Sequence, residues 1–183
     1  MIECEIKSMV SEEELLRYKH MLDGVASCKR KLQINYYFDT PEFINNSMGN
    51  TLRIRQTGTD LKLQYKYDKQ YSGKEKICKE FEKKIDSFLT SIQSDILPKE
   101  AFGTIHTFGY IGNLVTDRMD YIIGGAIVSL DTNYYLGVCD HEIEIEFNNY
   151  DEAENVLEML SLKRIETSEM GKYSRFVKRY QNK

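Results

Sequence analysis

The sequence predicts one α+β domain, residues 1–183, in which about eight antiparallel strands pack with helices near the beginning, middle and end. Alternation of charged and apolar residues recurs along the chain, which is typical of strands with one buried face. Helix-capping patterns precede apolar stripes at two positions. The 183 residues contain no repeat, linker or low-complexity segment that would mark a domain boundary.

The first strand shows the alternation most clearly. Successive strand residues point to opposite faces, so Glu3, Glu5 and Lys7 share one face and apolar residues the other. The same pattern predicts further strands, and Gly58 lies in the turn of a hairpin. These strands are expected at residues 29–39, 51–57, 61–67, 74–85, 115–123, 126–131 and 139–147.

Three helices are predicted by caps and apolar spacing. Ser11 and Glu14 form a capping box before a helix over residues 12–21, and Asn149 with Glu152 caps a second helix. The apolar stripe of a C-terminal helix comprises Met170, Tyr173, Val177 and Tyr180. Residues 86–108 are expected to be mainly helical and irregular, with an interruption at Pro98.

Composition argues against several function classes. The net charge of -4 does not favour nucleic acid or an anionic membrane as a partner. The chain has neither a membrane-spanning apolar run nor a secretory pattern, so we expect a cytoplasmic protein. The four cysteines and three histidines are scattered, which gives no support to a zinc site or a Ser-His-Asp triad.

The charged faces of the strands are grouped by sign. Acids concentrate on the first strand and on the strands of Glu80 and Glu144, and bases on those of Arg53, Lys66 and Arg118. An open sheet wetted on one side would tolerate any polar residue there, whereas converging carboxylates bind Mg²⁺ or Mn²⁺ and converging bases bind phosphate. The grouping favours a metal-assisted site for a polyphosphate.

These residues resemble the CYTH superfamily, also called triphosphate tunnel metalloenzymes. Glu3 to Lys7 matches its ExExK motif, and further motifs follow in the family's order. They are Tyr37-Phe38-Asp39-Thr40, Leu52-Arg53-Ile54-Arg55, Leu63-Gln64-Tyr65-Lys66, Glu80, Arg118, Asp131 and Glu142-Ile143-Glu144-Ile145-Glu146. Similarity to the small bacterial YjbK-like branch lies in Gly112 to Arg118, Tyr135-Leu136-Gly137 and Lys172-Tyr173-Ser174-Arg175.

The resemblance implies an eight-stranded antiparallel closed β-barrel, or tunnel, with a charged interior, helices packed outside and a C-terminal helix. It implies metal ligands for Mg²⁺ or Mn²⁺ at Glu3, Glu5, Glu80, Glu142, Glu144 and Glu146. It implies substrate-binding residues at Lys7, Arg53, Arg55, Lys66, Arg118 and Lys172. Lys7, Glu5 and Glu144 are the implied catalytic residues.

Structural roles compete with several of these assignments. Asp131 could simply end a strand, Asp39 could form a turn and Tyr37 could serve packing. Lys79 stands where many relatives have arginine. The principal metal-binding pair is either Glu142 with Glu144 or Glu144 with Glu146.

The predicted function is metal-dependent hydrolysis of inorganic, nucleoside or thiamine triphosphate, a small-molecule substrate. One alternative is a class IV-type adenylyl cyclase that forms cyclic AMP from ATP. Another is a non-catalytic module that binds polyphosphate or nucleotide. The sequence does not decide between a monomer and a homodimer.

Overall fold

The protein is described from a computed structural model that covers residues 2–72, 75–102, 104–162 and 170–182, without the side chains of residues 2, 3, 71, 72, 75 and 76. The strands are β1 Ile2–Val10, β2 Lys29–Asp39, β3 Thr51–Thr57, β4 Asp60–Ser72, β5 Glu75–Ile85, β6 Ser91–Gln93, β7 Thr107–Ile123, β8 Ala126–Tyr135 and β9 Val138–Glu146. The helices are α1 Glu12–Asp23, α2 Ile44–Ser47, α3 Tyr150–Met159 and α4 Lys172–Gln181. Within the described residues, no helix is both long and apolar enough to cross a membrane.

The sheet closes on itself. Its strand order is β2-β3-β4-β5-β1-β9-β8-β7, and β2 also pairs with β7. That last pairing is antiparallel and extends from Lys29 opposite Asp120 to Asp39 opposite Gly109. The short strand β6 only extends β7 at one end. The predicted closed eight-stranded antiparallel barrel is therefore confirmed.

Two apolar clusters cover the outside of the barrel. Leu15 and Tyr18 of α1 and Val156 of α3 pack with Ile6 and Ile143 of the strands. The second cluster packs Ile92 and Leu97 against the β3–β4 hairpin. The capping box of α1 is present, and Asn149 caps α3 as predicted. The apolar strand faces and the helices lie on the outside of the barrel. The charged strand faces therefore point into its lumen.

Residues 86–108 differ from the prediction. They contain β6, the start of β7 and two short 3-10 turns, Ser94–Ile96 and Lys99–Ala101, with no α-helix among the described residues. Ser94 donates its backbone N–H to His106 O at 2.9 Å, which holds the segment as a loop against the barrel. Pro98 and the need to bury Ile92 and Leu97 on a sheet edge account for the difference.

Helix α4 packs into one mouth of the barrel. Tyr173, Phe176 and Val177 form its buried stripe, and they contact a cluster that includes Tyr37 and Leu114. The predicted stripe was partly wrong, because Met170 precedes the helix and both Met170 and Tyr180 are exposed. Gly112 adopts φ +144°, and a Cβ there would lie 2.6 Å from Phe176 Cζ, so a glycine allows this close approach.

Candidate active site

The barrel encloses a cavity of about 690 Å³ to which most predicted site residues contribute. These residues are Glu5, Lys7, Arg53, Arg55, Lys66, Glu80, Arg118, Glu144, Glu146 and Lys172. Glu142 is not among the described residues that line the cavity, although it is almost fully buried directly behind them. The side chain of Glu3 lies outside the described part of the structure.

Strand register brings opposite and like charges together in this lumen. Glu5 lies opposite Glu146 and Lys7 opposite Glu144 on the β1–β9 pair. Lys7 Nζ is 3.6 Å from Glu5 Oε1, and Lys66 Nζ on β4 is 3.9 Å from Glu80 Oε2 on β5. Three carboxylates and an ammonium on β1 and β9 therefore face the same space.

Asp131, Glu142 and Glu144 form what we call the carboxylate cluster, in which one oxygen of each lies within 4.8 Å of the others. Asp131 pairs with Glu142 across β8 and β9, and Glu144 is the next inward residue. Lys172 of α4 places Nζ 2.8 Å from Asp131 Oδ2 and 2.8 Å from Glu144 Oε1, and it also contacts Glu142. An ammonium thus occupies the centre of the cluster.

Two arginines complete the charge balance of the carboxylate cluster. Arg118 donates Nε to Asp131 Oδ1 at 2.7 Å and Nη2 to Oδ2 at 2.5 Å, and it also contacts Glu144. Arg175 donates Nη2 to Glu142 Oε2 at 2.8 Å. Burial would raise the pKa of Asp131, but Lys172 and Arg118 outweigh burial and hold it well below its usual range. Three cations therefore match three carboxylates.

Arg53 and Arg55, which we call the basic wall, have neutral partners instead. Arg53 Nε donates to Gln64 Oε1 at 2.8 Å, and Arg55 Nε donates to Asn35 Oδ1 at 2.9 Å. Burial, together with the neighbouring Arg53, lowers the pKa of Arg55 to about 9, so its guanidinium remains charged at neutral pH. Among the described residues, no carboxylate forms a salt bridge with either guanidinium.

Several residues that line the lumen or support its lining were not identified from sequence. Asn35 supports Arg55, Lys69 lines the cavity, and Arg175 orients Glu142. Tyr37 packs against Tyr173 as expected, yet its buried hydroxyl has no hydrogen-bond partner among the described residues. The period-two pattern does place Asn35 and Tyr37 on one face, but it gives no reason to single out a neutral amide.

Oxygen donors suitable for a divalent cation are present in the lumen. Glu5, Glu144 and Glu146 lie on adjacent strands, and carboxylate oxygens are the ligands that Mg²⁺ and Mn²⁺ prefer. The carboxylate cluster offers the same donors, but its oxygens already contact Lys172 and Arg118. Glu144 belongs to both sets, and Glu146 Oε1 lies 3.8 Å from Arg118 Nη1, so a divalent ion would compete with Lys172 and Arg118 at either set.

Asp39 lies at the α4 end of the barrel, where its hydrogen bonds hold a loop and a helix together. Its buried carboxylate accepts the backbone N–H groups of Thr40, Asn45 and Asn46 and the hydroxyl of Tyr173. These donors satisfy the carboxylate and hold the loop before β3 against α4. The structural interpretation of Asp39 is therefore confirmed.

Solved structures from several organisms share this fold. A candidate adenylyl cyclase from Hippeastrum, reported to have a dominant triphosphatase activity, is 23% identical over 96% of this chain and 95% of its own, with a TM-score of 0.73. A candidate adenylate cyclase from Bacillus halodurans is 24% identical over 95% and 96%, with a TM-score of 0.70. The Mimivirus capping-enzyme triphosphatase is 11% identical over 88% and 89%, with a TM-score of 0.58.

At these identities the three structures show the shared fold. A search of curated proteins found no match to this sequence. The sequence profile of the CYTH domain, in contrast, matches residues 1–176. The chain belongs to the CYTH domain family.

Proposed function

We propose that this protein is a metal-dependent triphosphatase that transfers the terminal phosphoryl group of a triphosphate to water. The observation that carries the proposal is the basic wall, where Arg53 and Arg55 face the lumen with amide partners only. Guanidinium groups held in this way are short of negative charge, and their planar forks match phosphate oxygens. A polyphosphate chain in the lumen would supply that charge.

The other lumen cations extend the phosphate-binding surface. Lys66 and Arg118 flank the basic wall, and Lys7 lies beside Glu5 near the proposed reacting phosphate. Arg118 contacts Asp131 and Glu144, but a guanidinium has five N–H donors and can bind phosphate as well. Phosphoryl transfer requires mainly positioning and charge neutralisation, which these residues provide. Lys172 would contact the phosphates from α4.

The carboxylates would hold the metal and accept a proton. Glu3, Glu5, Glu144 and Glu146 are the proposed ligands, with Glu80 and Glu142 as additional ones, and the ion would be Mg²⁺ or Mn²⁺. When bound, a divalent ion neutralises phosphate oxygens and acidifies water. Glu5 or Glu144 would then take the proton of the attacking water as a general base.

The structural neighbours agree with this reaction. Two of them are reported as a capping-enzyme triphosphatase and a protein with dominant triphosphatase activity. We extend that activity to this chain because its inward residues provide both a basic wall and carboxylates in one lumen. A small-molecule triphosphate is the proposed ligand, bound by residues 1–183 acting as one domain.

The test is a phosphate-release assay with tripolyphosphate, ATP and thiamine triphosphate, each with Mg²⁺ and with Mn²⁺. Glu5→Gln keeps the size of the side chain and removes its charge, so we expect it to retain the circular dichroism of the wild type. Its turnover should fall at least about 100-fold, the size typical of removing a general base. Wild-type turnover by Glu5→Gln in excess metal would contradict the assignment.

A class IV-type cyclase is the second candidate, and the cavity lining is the observation that favours it. Ile127 and Phe147 add apolar surface beside the charged residues, where a nucleoside could lie. In that reaction the ribose hydroxyl attacks the α-phosphate of ATP and releases pyrophosphate. Chromatography of the ATP reaction separates the candidates, because ADP with phosphate indicates the triphosphatase and cyclic AMP indicates the cyclase. Metal-independent binding without turnover would indicate the binding module.

A further inference from the structure

Helix α4 begins without the local features that usually stabilise a helix N-terminus. Its N-cap is Gly171, which has no side chain to accept the first backbone N–H groups, and its first turn contains no acidic residue. Lys172 places a positive charge at the positive end of the helix dipole. The position of this helix start must therefore depend on contacts with the barrel.

Arg175, three residues after Lys172, makes the most extensive of these contacts. Its Nε and Nη2 donate to the two carboxylate oxygens of Asp140 at 2.9 and 3.2 Å. Its Nη2 also donates to Glu142 Oε2 at 2.8 Å, and its Nη1 donates to Met170 O at 2.8 Å. One guanidinium therefore joins strand β9, the residue before the N-cap and the first turn of α4.

The acceptors of Arg175 are themselves held in place. Asp140 accepts the Tyr135 hydroxyl at 2.7 Å and Asn133 Nδ2 at 3.0 Å. Glu142 binds Arg175 through Oε2, while its Oε1 contacts the Lys172 ammonium. A guanidinium bound to two pre-oriented carboxylates fixes direction as well as distance. The same contact orients both Glu142 and α4.

We propose that Arg175 is a positioning residue that seats the Lys172 ammonium in the lumen. Arg175 is not among the described residues that line the cavity, so it acts through Glu142 and through the start of α4. Tyr173, which donates its hydroxyl to Asp39, anchors the opposite side of the same turn. The effect of Arg175 on turnover rests on the proposed triphosphatase function, but its effect on α4 does not.

The first test is hydrogen exchange of the α4 amides in the full-length, ligand-free protein. Arg175→Met should raise exchange in residues 173–181 by about tenfold or more and leave the barrel strands unchanged, because it releases a local segment. Lys178→Met, which also replaces a cation of α4 but on the exposed side of the helix, is the matched control, and its amides should exchange at the wild-type rate. Unchanged exchange of α4 in Arg175→Met would overturn the proposal.

The second test is a double-mutant cycle on kcat/KM with the triphosphate that the screen identifies. Arg175→Met should lower kcat/KM about tenfold when Lys172 is present and less than about twofold in a Lys172→Met background. Arg175→Lys, which keeps the charge, should recover part of the loss. Losses that simply multiply would overturn the positioning role. A protein without any triphosphatase activity would contradict the proposed function, and the exchange experiment would still decide the role of Arg175.

Discussion

The carboxylate cluster and the basic wall face the same lumen but satisfy their charges in opposite ways. Asp131, Glu142 and Glu144 are matched by the cations of Lys172, Arg118 and Arg175. Arg53 and Arg55 are instead held by the amide oxygens of Gln64 and Asn35. The negative charge of the carboxylate cluster is neutralised by cations of the protein, whereas the positive charge of the basic wall has no such counter-charge among the described residues.

The difference separates charges that are already paired inside the protein from charges that remain to be paired by a ligand. A buried ion pair contributes little net stability, yet removal of one member leaves the other charge unpaired and is strongly destabilising. A buried cation with only neutral partners weakens the folded state and can be useful when an anion binds. We therefore expect mutation of Asp131, the member of the carboxylate cluster with no proposed catalytic or metal-binding role, to act mainly on stability, and mutations in the basic wall to act mainly on activity.

The largest effect is expected for Asp131→Asn, which removes one of the buried carboxylates that Lys172 and Arg118 both contact. The free energy of unfolding should fall by about 3–5 kcal/mol, measured by urea denaturation. Asp117→Asn is the matched control, because Asp117 also binds an arginine across strands but its partner Arg30 is 69% exposed. The free energy of unfolding of Asp117→Asn should fall by at most about 1 kcal/mol. If Asp131→Asn and Asp117→Asn lost the same free energy of unfolding, the buried charge pairs would be no more important for stability than an exposed one.

The pH dependence of stability provides a check on the same pair. The folded-state pKa of Asp131 lies below its usual range because Lys172 and Arg118 outweigh the effect of burial. Its contribution is therefore present above the unfolded-state pKa of about 3.9 and is lost as the pH falls toward the folded-state value. Urea denaturation of wild type and Asp131→Asn should give free energies of unfolding that converge below about pH 4. A constant gap between them down to acid pH would be the contrary result.

At the basic wall, Arg55→Met should impair activity rather than folding. We expect kcat/KM to fall about 100- to 1000-fold, because one preorganised donor to phosphate is lost. The free energy of unfolding should stay the same or rise, since burial of this cation already lowers its pKa to about 9. Lys62→Met is the control, because Lys62 is half-exposed and paired with Glu82. A large loss of unfolding free energy in Arg55→Met would mean that the basic wall, like the carboxylate cluster, is needed for stability.

The barrel and most of its lumen could be predicted because inward and outward residues alternate strictly. Charged and apolar residues alternate over residues 2–7 of β1 and 142–146 of β9, so the faces of Glu5 and Glu144 could be read from sequence alone. The pairing of β2 with β7 closes the barrel, so that these faces surround a single lumen. The resemblance supplied the order of the strands, which alternation by itself does not determine.

The pairing of charges inside the lumen could not be predicted in the same way. Lys172 and Glu144 meet only because α4 enters the mouth of the closed barrel, and no local pattern reports that contact. The predicted stripe of α4 included Met170 and Tyr180, whereas the buried stripe depends on Phe176 fitting against Gly112. Long-range packing decides which cations remain available to a ligand.

The smallest effect concerns competition between Lys172 and a divalent cation. Lys172→Met removes the ammonium from the carboxylate cluster, so Mn²⁺ should bind about tenfold more tightly, a change of about 1.4 kcal/mol. Isothermal titration calorimetry without substrate measures this, and Lys178→Met on the exposed side of α4 is the control. Unchanged Mn²⁺ affinity would mean that the cluster serves α4 alone. Tighter binding would mean that the Lys172 ammonium and a metal ion compete for the same carboxylate oxygens.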